Sequence, residues 1–173
     1  LNPYAESKLA LDEWVTDFWV KNPEIIGVGL RYCNIYGPGE AKKEKRATLI
    51  YQLAQTMLKG NPRLFKYGEQ KRDYLYVKDV VRANLLASEA KKSGIYNCGF
   101  GRAVSFNEIV EILNKTLNVK RESEYIDNPY ADRYQSFTEC DMSLAKEKLK
   151  FIPEFDIEKG IQDYYTSSSL IKK

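Results

Sequence analysis

The sequence predicts an α/β fold, and three observations carry that expectation. Apolar residues at Leu11, Trp14, Val15, Phe18 and Trp19 form the stripe of a core-facing helix. After the break Asn22-Pro23-Glu24, the mostly apolar run Ile25-Ile26-Gly27-Val28-Gly29-Leu30-Arg31-Tyr32 has the character of a buried parallel strand. A second helix-to-strand succession, from about Lys78 to Lys91 and then Ile95-Tyr96-Asn97-Cys98, closes on Gly99-Phe100-Gly101. In this grammar functional groups gather at the carboxyl ends of strands. The loop after Tyr32, through Cys33 and Asn34 to Gly37-Pro38-Gly39, is therefore the first place to look for a site.

Each element has its own signal. Asn2 is placed to cap the first helix and Pro3 to occupy its first position, where a missing N–H costs nothing. A helix is expected from about Thr48 to Lys59, stopped by Gly60-Asn61-Pro62. Arg63 to Tyr67 reads as short and extended, Gly68 to Arg72 as a turn, and Asp73 to Val77 as extended again. Ser105-Phe106-Asn107-Glu108 is a capping box ahead of a helix with Ile109, Ile112, Leu113 and Leu117 on one face. From Asn118 to Asp141 the chain is polar and aromatic. Ser143 then caps a short helix, and Asp156 opens a last amphipathic one that frays into Ser167-Ser168-Ser169.

Composition narrows the function classes. A chain of 173 residues, 43% hydrophobic, builds one core with room for a smaller attached lobe. A net charge of +3 spread along the chain does not indicate a nucleic-acid binder. The densest basic run, Lys42-Lys43-Glu44-Lys45-Arg46, reads on its own as a solvated loop. Cys33, Cys98 and Cys140 are far apart, without a Cys-x-x-Cys, so free thiols and a cytoplasmic setting are expected rather than disulfides or a metal site. Histidine, the commonest general base, is absent. No apolar run reaches the roughly 20 residues that span a bilayer, so no membrane partner is expected. The chain starts at Leu1 directly before a helix, as a piece of a longer protein would.

Tyr4 and Lys8 lie one turn apart on the first helix, and a nearby ammonium favours the anionic form of a phenol. That is one way to make a proton-transferring group without histidine. The same spacing recurs at Tyr67/Lys71, across a turn, and at Tyr74/Lys78, in an extended stretch, so only Tyr4/Lys8 opens a helix. Spacing alone fits equally a helix with a surface tyrosine and lysine.

Taken in order, Tyr4-x-x-x-Lys8, Arg31-Tyr32-Cys33-Asn34-Ile35-Tyr36-Gly37-Pro38, Arg72-Asp73-Tyr74-Leu75-Tyr76-Val77-Lys78-Asp79-Val80 and Tyr96-Asn97-Cys98-Gly99 resemble the C-terminal half of an extended short-chain dehydrogenase/reductase acting on a nucleotide sugar. Within that group, Tyr36-Gly37-Pro38-Gly39-Glu40-Ala41-Lys42-Lys43 and Arg133-Tyr134-Gln135-Ser136-Phe137-Thr138 are similar to the ADP-L-glycero-D-manno-heptose 6-epimerases. The resemblance implies the C-terminal part of a Rossmann-type parallel sheet plus a smaller mixed α/β substrate-binding lobe. Residues 1–36 would end the dinucleotide-binding domain. Residues 37–173 would form mostly the substrate lobe, with 73–100 returning to the sheet. It also implies epimerisation at C6 of an ADP-heptose by transient oxidation through bound NADP, with NAD the alternative, in the synthesis of lipopolysaccharide core precursors by a homo-oligomer. No Gly-x-Gly-x-x-Gly or Gly-x-x-Gly-x-x-Gly follows a strand here, so a preceding segment of on the order of a hundred residues should carry the pyrophosphate loop. Without it the chain is expected to be catalytically incomplete, with an aggregation-prone sheet edge.

The same resemblance assigns roles. Tyr4 and Lys43 are the acid/base pair, with Lys8 on the nicotinamide ribose and Ile35 and Lys43 beside the cofactor. Lys43 serves as a base if burial or the charges of Lys42, Lys45 and Arg46 depress its pKa. Asn34 and Tyr134 contact the sugar nucleotide, and Arg72 forks onto its diphosphate; the other reading of Arg72 is a strand-end residue paired with Asp73. Phe65, Lys66, Tyr67 and Gly68 line the nucleotide pocket, although their identities depart from the commonest pattern. Gln52 stands where the family often has histidine, and Lys45 where a small hydroxyl residue is usual; both are carried as substrate contacts. Other nucleotide-sugar epimerases or dehydratases, and a non-catalytic sugar-nucleotide-binding fragment, remain as alternatives.

Overall fold

A computed structural model describes residues 3–129, 134–167 and 169–171. Asn2, the expected helix cap, and Arg133 of the Arg-Tyr-Gln-Ser-Phe-Thr stretch lie outside the described residues, as does Ser168 of the fraying end. The α/β class is observed: helices alternate with strands whose pairings are mostly parallel. Helix α1 (Pro3–Lys21) leads to β1 (Val28–Tyr32), which pairs in parallel with β5 (Gly94–Cys98), Tyr32 opposite Cys98. Parallel pairing requires a crossover connection, and α3 (Val77–Ser88) lies within it.

A second sheet centres on β4 (Lys71–Tyr76). It pairs in parallel with β2 (Asn34–Tyr36) and β8 (Phe137–Thr138), and antiparallel with β6 (Ala103–Ser105). A third, small sheet joins β3 (Arg63–Phe65) to β7 (Glu124–Ile126). Helices α2 (Leu49–Met57), α4 (Phe106–Leu117) and α6 (Ile157–Thr166) supply Ile50, Leu53, Met57, Ile109, Leu113 and Ile161 to one buried cluster, with Tyr36, Tyr74 and Tyr76. A second cluster gathers Leu75, Ala83, Tyr96, Cys98, Met142, Ala145, Leu149 and Phe151, where α5 (Ser143–Leu149) meets β5.

Capping follows the sequence closely. The Ser105 hydroxyl accepts from the Glu108 N–H at 3.1 Å, and Asp156 accepts from the Lys159 N–H at 2.8 Å. The Glu108 carboxylate, however, turns to Arg102 instead of completing the box. Ser143 is the first residue of α5 rather than its cap; Met142 holds that place, and Asp141 accepts the Ser143 N–H.

The structure corrects four further expectations. Asn34–Tyr36 is a strand, not a loop, and Glu40–Arg46 winds into a 3₁₀ segment kinked at Glu44 (φ 49°). Strands of two or three residues (β6, β7, β8) occupy stretches with no periodic pattern, because so short a strand shows no repeat to read. The apolar stripe of α1 is present, yet none of its residues is buried: Trp14 is 63% exposed and stacks only on Phe18, at 5.8 Å. An apolar helix face is covered only by a packed layer, and among the described residues none covers this one. Last, Cys33 and Cys140 form a disulfide across 107 residues, leaving Cys98 as the free, buried thiol. The two are neighbours only through the strand pairings, so no local spacing announces the bond. Among the described residues no helix is long and apolar enough to cross a membrane.

Candidate active site

Tyr4 and Lys8 project from the first turns of α1. The Lys8 ammonium sits 5.3 Å from the centre of the Tyr4 ring, and the ring is 71% exposed. The four-residue spacing thus becomes a contact on one helix face. Lys43 stands on the 3₁₀ segment and is also exposed, so within this chain burial does not desolvate its ammonium. No hydrogen bond or ion pair joins Lys43 to Tyr4 among the described residues.

The 3₁₀ segment is nevertheless fixed at both ends by Glu40, a buried carboxylate that the sequence reading missed. Its Oε1 accepts the Thr48 N–H at 2.8 Å, and its Oε2 accepts the Gly37 N–H at 3.3 Å and the Thr48 hydroxyl at 3.0 Å. Gln52 is turned to the same task. Its Nε2 donates to the carbonyls of Ala47 (2.7 Å) and Lys45 (3.3 Å), so it braces the backbone of this segment. The Lys45 side chain is exposed.

Asn34 and Ile35 open β2, one residue after β1 ends. The Asn34 amide donates to the Asp73 carbonyl at 2.8 Å, across the β2/β4 pairing, and Ile35 is half-buried beside it. Asp73, the alternative partner of Arg72, is committed elsewhere. Its wholly buried carboxylate accepts the N–H groups of Phe100 (2.7 Å), Gly101 (2.9 Å) and Cys140 (3.1 Å). Burial pushes this carboxyl above the ordinary aspartate range, and the three N–H donors partly offset that.

Arg72 instead lies over the rings of Tyr134, at 5.3 Å, and Phe106, at 5.8 Å. It donates to the carbonyls of Lys71 and Gln135. Tyr134 meets Phe65 edge to face at 5.5 Å. The structure therefore brings Phe65, Arg72 and Tyr134 into one cluster: a planar cation suited to phosphate between rings suited to a flat base.

The rest of the Phe65–Gly68 stretch borders this cluster. Lys66 pairs with Asp127 at 2.7 Å, an ion pair that holds its ammonium above the usual lysine range. Tyr67 is exposed against Tyr125. Gly68 has a left-handed backbone (φ 73°) and lies against Asn107, where a Cβ would collide. Asn107, which the sequence reading took only as a capping-box position, donates to the Tyr67 carbonyl and accepts from the Tyr125 hydroxyl.

Cys33, Asp73 and Cys140 bring potential metal ligands within 4.8 Å of one another. Their lone pairs are engaged: the sulfurs bond to each other, and Asp73 takes three N–H groups. For a nicotinamide cofactor the fit covers one end. Tyr4 and Lys8 offer a phenol and an ammonium on one helix face, while among the described residues no strand is followed by a glycine-rich phosphate loop.

Residues 1–99 match the NAD dependent epimerase/dehydratase family. The chain is 37% identical to the ADP-L-glycero-D-manno-heptose-6-epimerase of Alkalilimnicola ehrlichii, over 95% of this chain and 54% of that protein. A crystal structure of the Helicobacter pylori ADP-L-glycero-D-manno-heptose-6-epimerase superposes with a TM-score of 0.84 at 40% identity, covering 96% of this chain and 51% of that one. UDP-glucose 4-epimerase from Thermotoga maritima, solved with UDP-glucose, also gives 0.84, at 30% identity, covering 97% and 54%. The chain spans about half the length of each of these relatives.

Proposed function

Because this chain belongs to the NAD dependent epimerase/dehydratase family, we propose that it is the acid/base and sugar-recognition half of an enzyme that inverts C6 of ADP-D-glycero-D-manno-heptose. The observation that carries the reading is the Lys8 ammonium held 5.3 Å over the Tyr4 ring on an open helix face. A bound nicotinamide, NADP ahead of NAD, supplies reversible hydride exchange when present. Tyr4 takes the proton of the C6 hydroxyl as the carbonyl forms, or donates one to that oxygen as the alcohol is restored. Lys43 does the same from the opposite side, because inversion requires the planar ketone to be reduced on its other face. Lys8 keeps positive charge beside the phenol and holds the ribose hydroxyls.

Recognition belongs to the cluster of Phe65, Arg72 and Tyr134, with Asn34 toward the sugar and Lys66, Tyr67 and Gly68 along the nucleotide. Gln52 and Lys45 act through the 3₁₀ segment that carries Lys43. In this reading residues 1–36 complete a dinucleotide-binding domain. Residues 37–173 are mostly the substrate lobe, with 73–100 returning to the sheet; the cluster of Leu75, Ala83, Tyr96 and Cys98, against which Val28 and Leu30 pack, supports that return. The full-length protein is read as a cytoplasmic homo-oligomer supplying lipopolysaccharide core precursors.

A second reading has its own support, since the UDP-glucose 4-epimerase superposes with the same TM-score as the heptose enzyme. Assay of the full-length protein against ADP-D-glycero-D-manno-heptose and UDP-glucose separates the two. Turnover of the heptose is expected, and turnover of UDP-glucose alone would contradict the assignment.

A further inference from the structure

We propose that the Cys33–Cys140 disulfide is a reversible thiol–disulfide switch that clamps the segment after Tyr134 onto the strand end bearing Asn34 and Ile35. Its bearing on catalysis rests on the function proposed above; the switch itself does not. Cys33 is the single residue between β1 and β2, next to Asn34, and its N–H donates to the Cys98 carbonyl at 2.8 Å. Cys140 follows β8 directly after Glu139, on the same stretch of chain as Tyr134. The bond thus ties together two groups of candidate substrate contacts that lie 107 residues apart in sequence at their cysteines.

Other restraints on that stretch are light. Strand β8 is two residues long and Phe137 within it is more than half exposed. Beyond its pairing with β4, the stretch is held by Gln135, whose carbonyl accepts from Arg72, and by Ser136, whose carbonyl accepts the Lys71 N–H. Glu139 accepts the Ala103 N–H, Cys140 donates to Asp73, and Asp141 accepts the Asn97 amide. A covalent tie among a few solvent-facing hydrogen bonds governs how far the stretch opens. The Asp73 contact, buried beneath, keeps Cys140 near Cys33 when the bond is broken, so closure is intramolecular.

The sulfurs are reachable. Both cysteines are half-buried rather than enclosed. Cys140 lines an open cavity of about 450 Å³ together with Gly101, Phe137, Glu139, Met142 and Lys146. The thiolate of a small dithiol attacks Cys140 Sγ, and Cys33 departs as thiolate and takes a proton from water. The second thiol of the reductant then closes on its own sulfur, releasing Cys140 and a cyclic disulfide, so that two electrons and two protons pass to the pair. Oxidation by a small disulfide reverses this. Cys98 stays out of the exchange: it is buried, with its thiol pushed up to about 11.

The test uses full-length protein equilibrated in glutathione buffers from oxidising to reducing, quenched by alkylation under denaturing conditions and mapped by peptide mass. Cys33 and Cys140 are expected to gain label together and lose it again on reoxidation, while Cys98 is labelled throughout. Amide exchange at residues 137–141 should rise about ten-fold on reduction. Cys33→Ser and Cys140→Ser should each show the fast exchange in every buffer, and Cys98→Ser should keep the response. Label at Cys33 and Cys140 that is constant across all buffers, or exchange at 137–141 that is equal in both redox forms, would overturn the proposal. No substrate enters either readout, so failure of the epimerase assignment cannot be mistaken for failure of the switch.

Discussion

Arg72 lies over two aromatic rings and donates to two carbonyls, so its guanidinium plane is set before any phosphate arrives. A lysine keeps the charge and loses both the plane and the fork. Arg72→Lys in the full-length protein is therefore expected to raise the Kd for an ADP-sugar about 10- to 100-fold, as losing charge-assisted hydrogen bonds does. Titration calorimetry measures this, and an unchanged Kd would remove Arg72 from the diphosphate site. Lys43→Ala should slow epimerisation about 100-fold or more with little change in binding; an unchanged rate would mean that Lys43 is a solvated lysine. The sequence marks Arg72 as a candidate ligand residue because a guanidinium carries its chemistry in its own side chain. It does not mark Asp73 and Glu40, because their carboxylates serve backbone N–H groups whose nearness only the folded chain creates. The direction of Gln52 is likewise set by the fold: its amide faces the backbone of the 3₁₀ segment.

At the scale of elements, the long helices were readable and the short strands were not. Helix α4 shows its apolar face over three turns and its cap in Ser105, and the structure reproduces both. Strands β2, β6, β7 and β8 hold two or three residues each and exist because β3 and β4 offer them backbone partners. The segment Glu40–Arg46 carries Lys43, the proposed second acid/base group, and Glu40 is its anchor. Glu40→Ala leaves two backbone N–H groups without their acceptor in a buried place, at a cost of about 2–4 kcal/mol. Urea denaturation should show that loss, and kcat should fall further than in a surface control because Lys43 loses its platform. A variant as stable as wild type would show that the segment holds its shape without Glu40.

On the scale of the whole molecule, one side is finished and the other is open. Helix α2, β4, α4 and α6 enclose a closed core, whereas Tyr4, Leu9, Leu11, Trp14, Phe18, Ile25 and Ile26 are exposed together along α1 and the approach to β1. The apolar stripe on α1, expected to face the core, is instead largely exposed, because among the described residues no packed layer covers it. The 173-residue chain by itself is expected to bind a hydrophobic dye strongly and to self-associate, and a monodisperse, dye-silent monomer would contradict this. Closure on the other side depends on Asp163, which accepts from the Tyr76 hydroxyl at 2.6 Å and from Lys78 at 2.9 Å, tying α6 to β4 and α3. The Lys78 ammonium and then the Tyr76 hydroxyl hold this carboxyl below the ordinary aspartate value. Its contribution is thus present above the unfolded pKa of about 4 and is lost as pH falls through the lower folded value. The Tm difference between wild type and Asp163→Asn should be full at pH 7 and close below about pH 4, and a pH-independent difference would refute the linkage. The proposed function rests on Tyr4 as the group that moves the proton. Tyr4→Phe in the full-length protein, assayed with ADP-D-glycero-D-manno-heptose by single turnover and calorimetry, tests that most directly. The predicted result is a rate lower by about 100- to 10,000-fold with the substrate Kd almost unchanged. An unchanged rate, or equal losses of rate and binding, would contradict it.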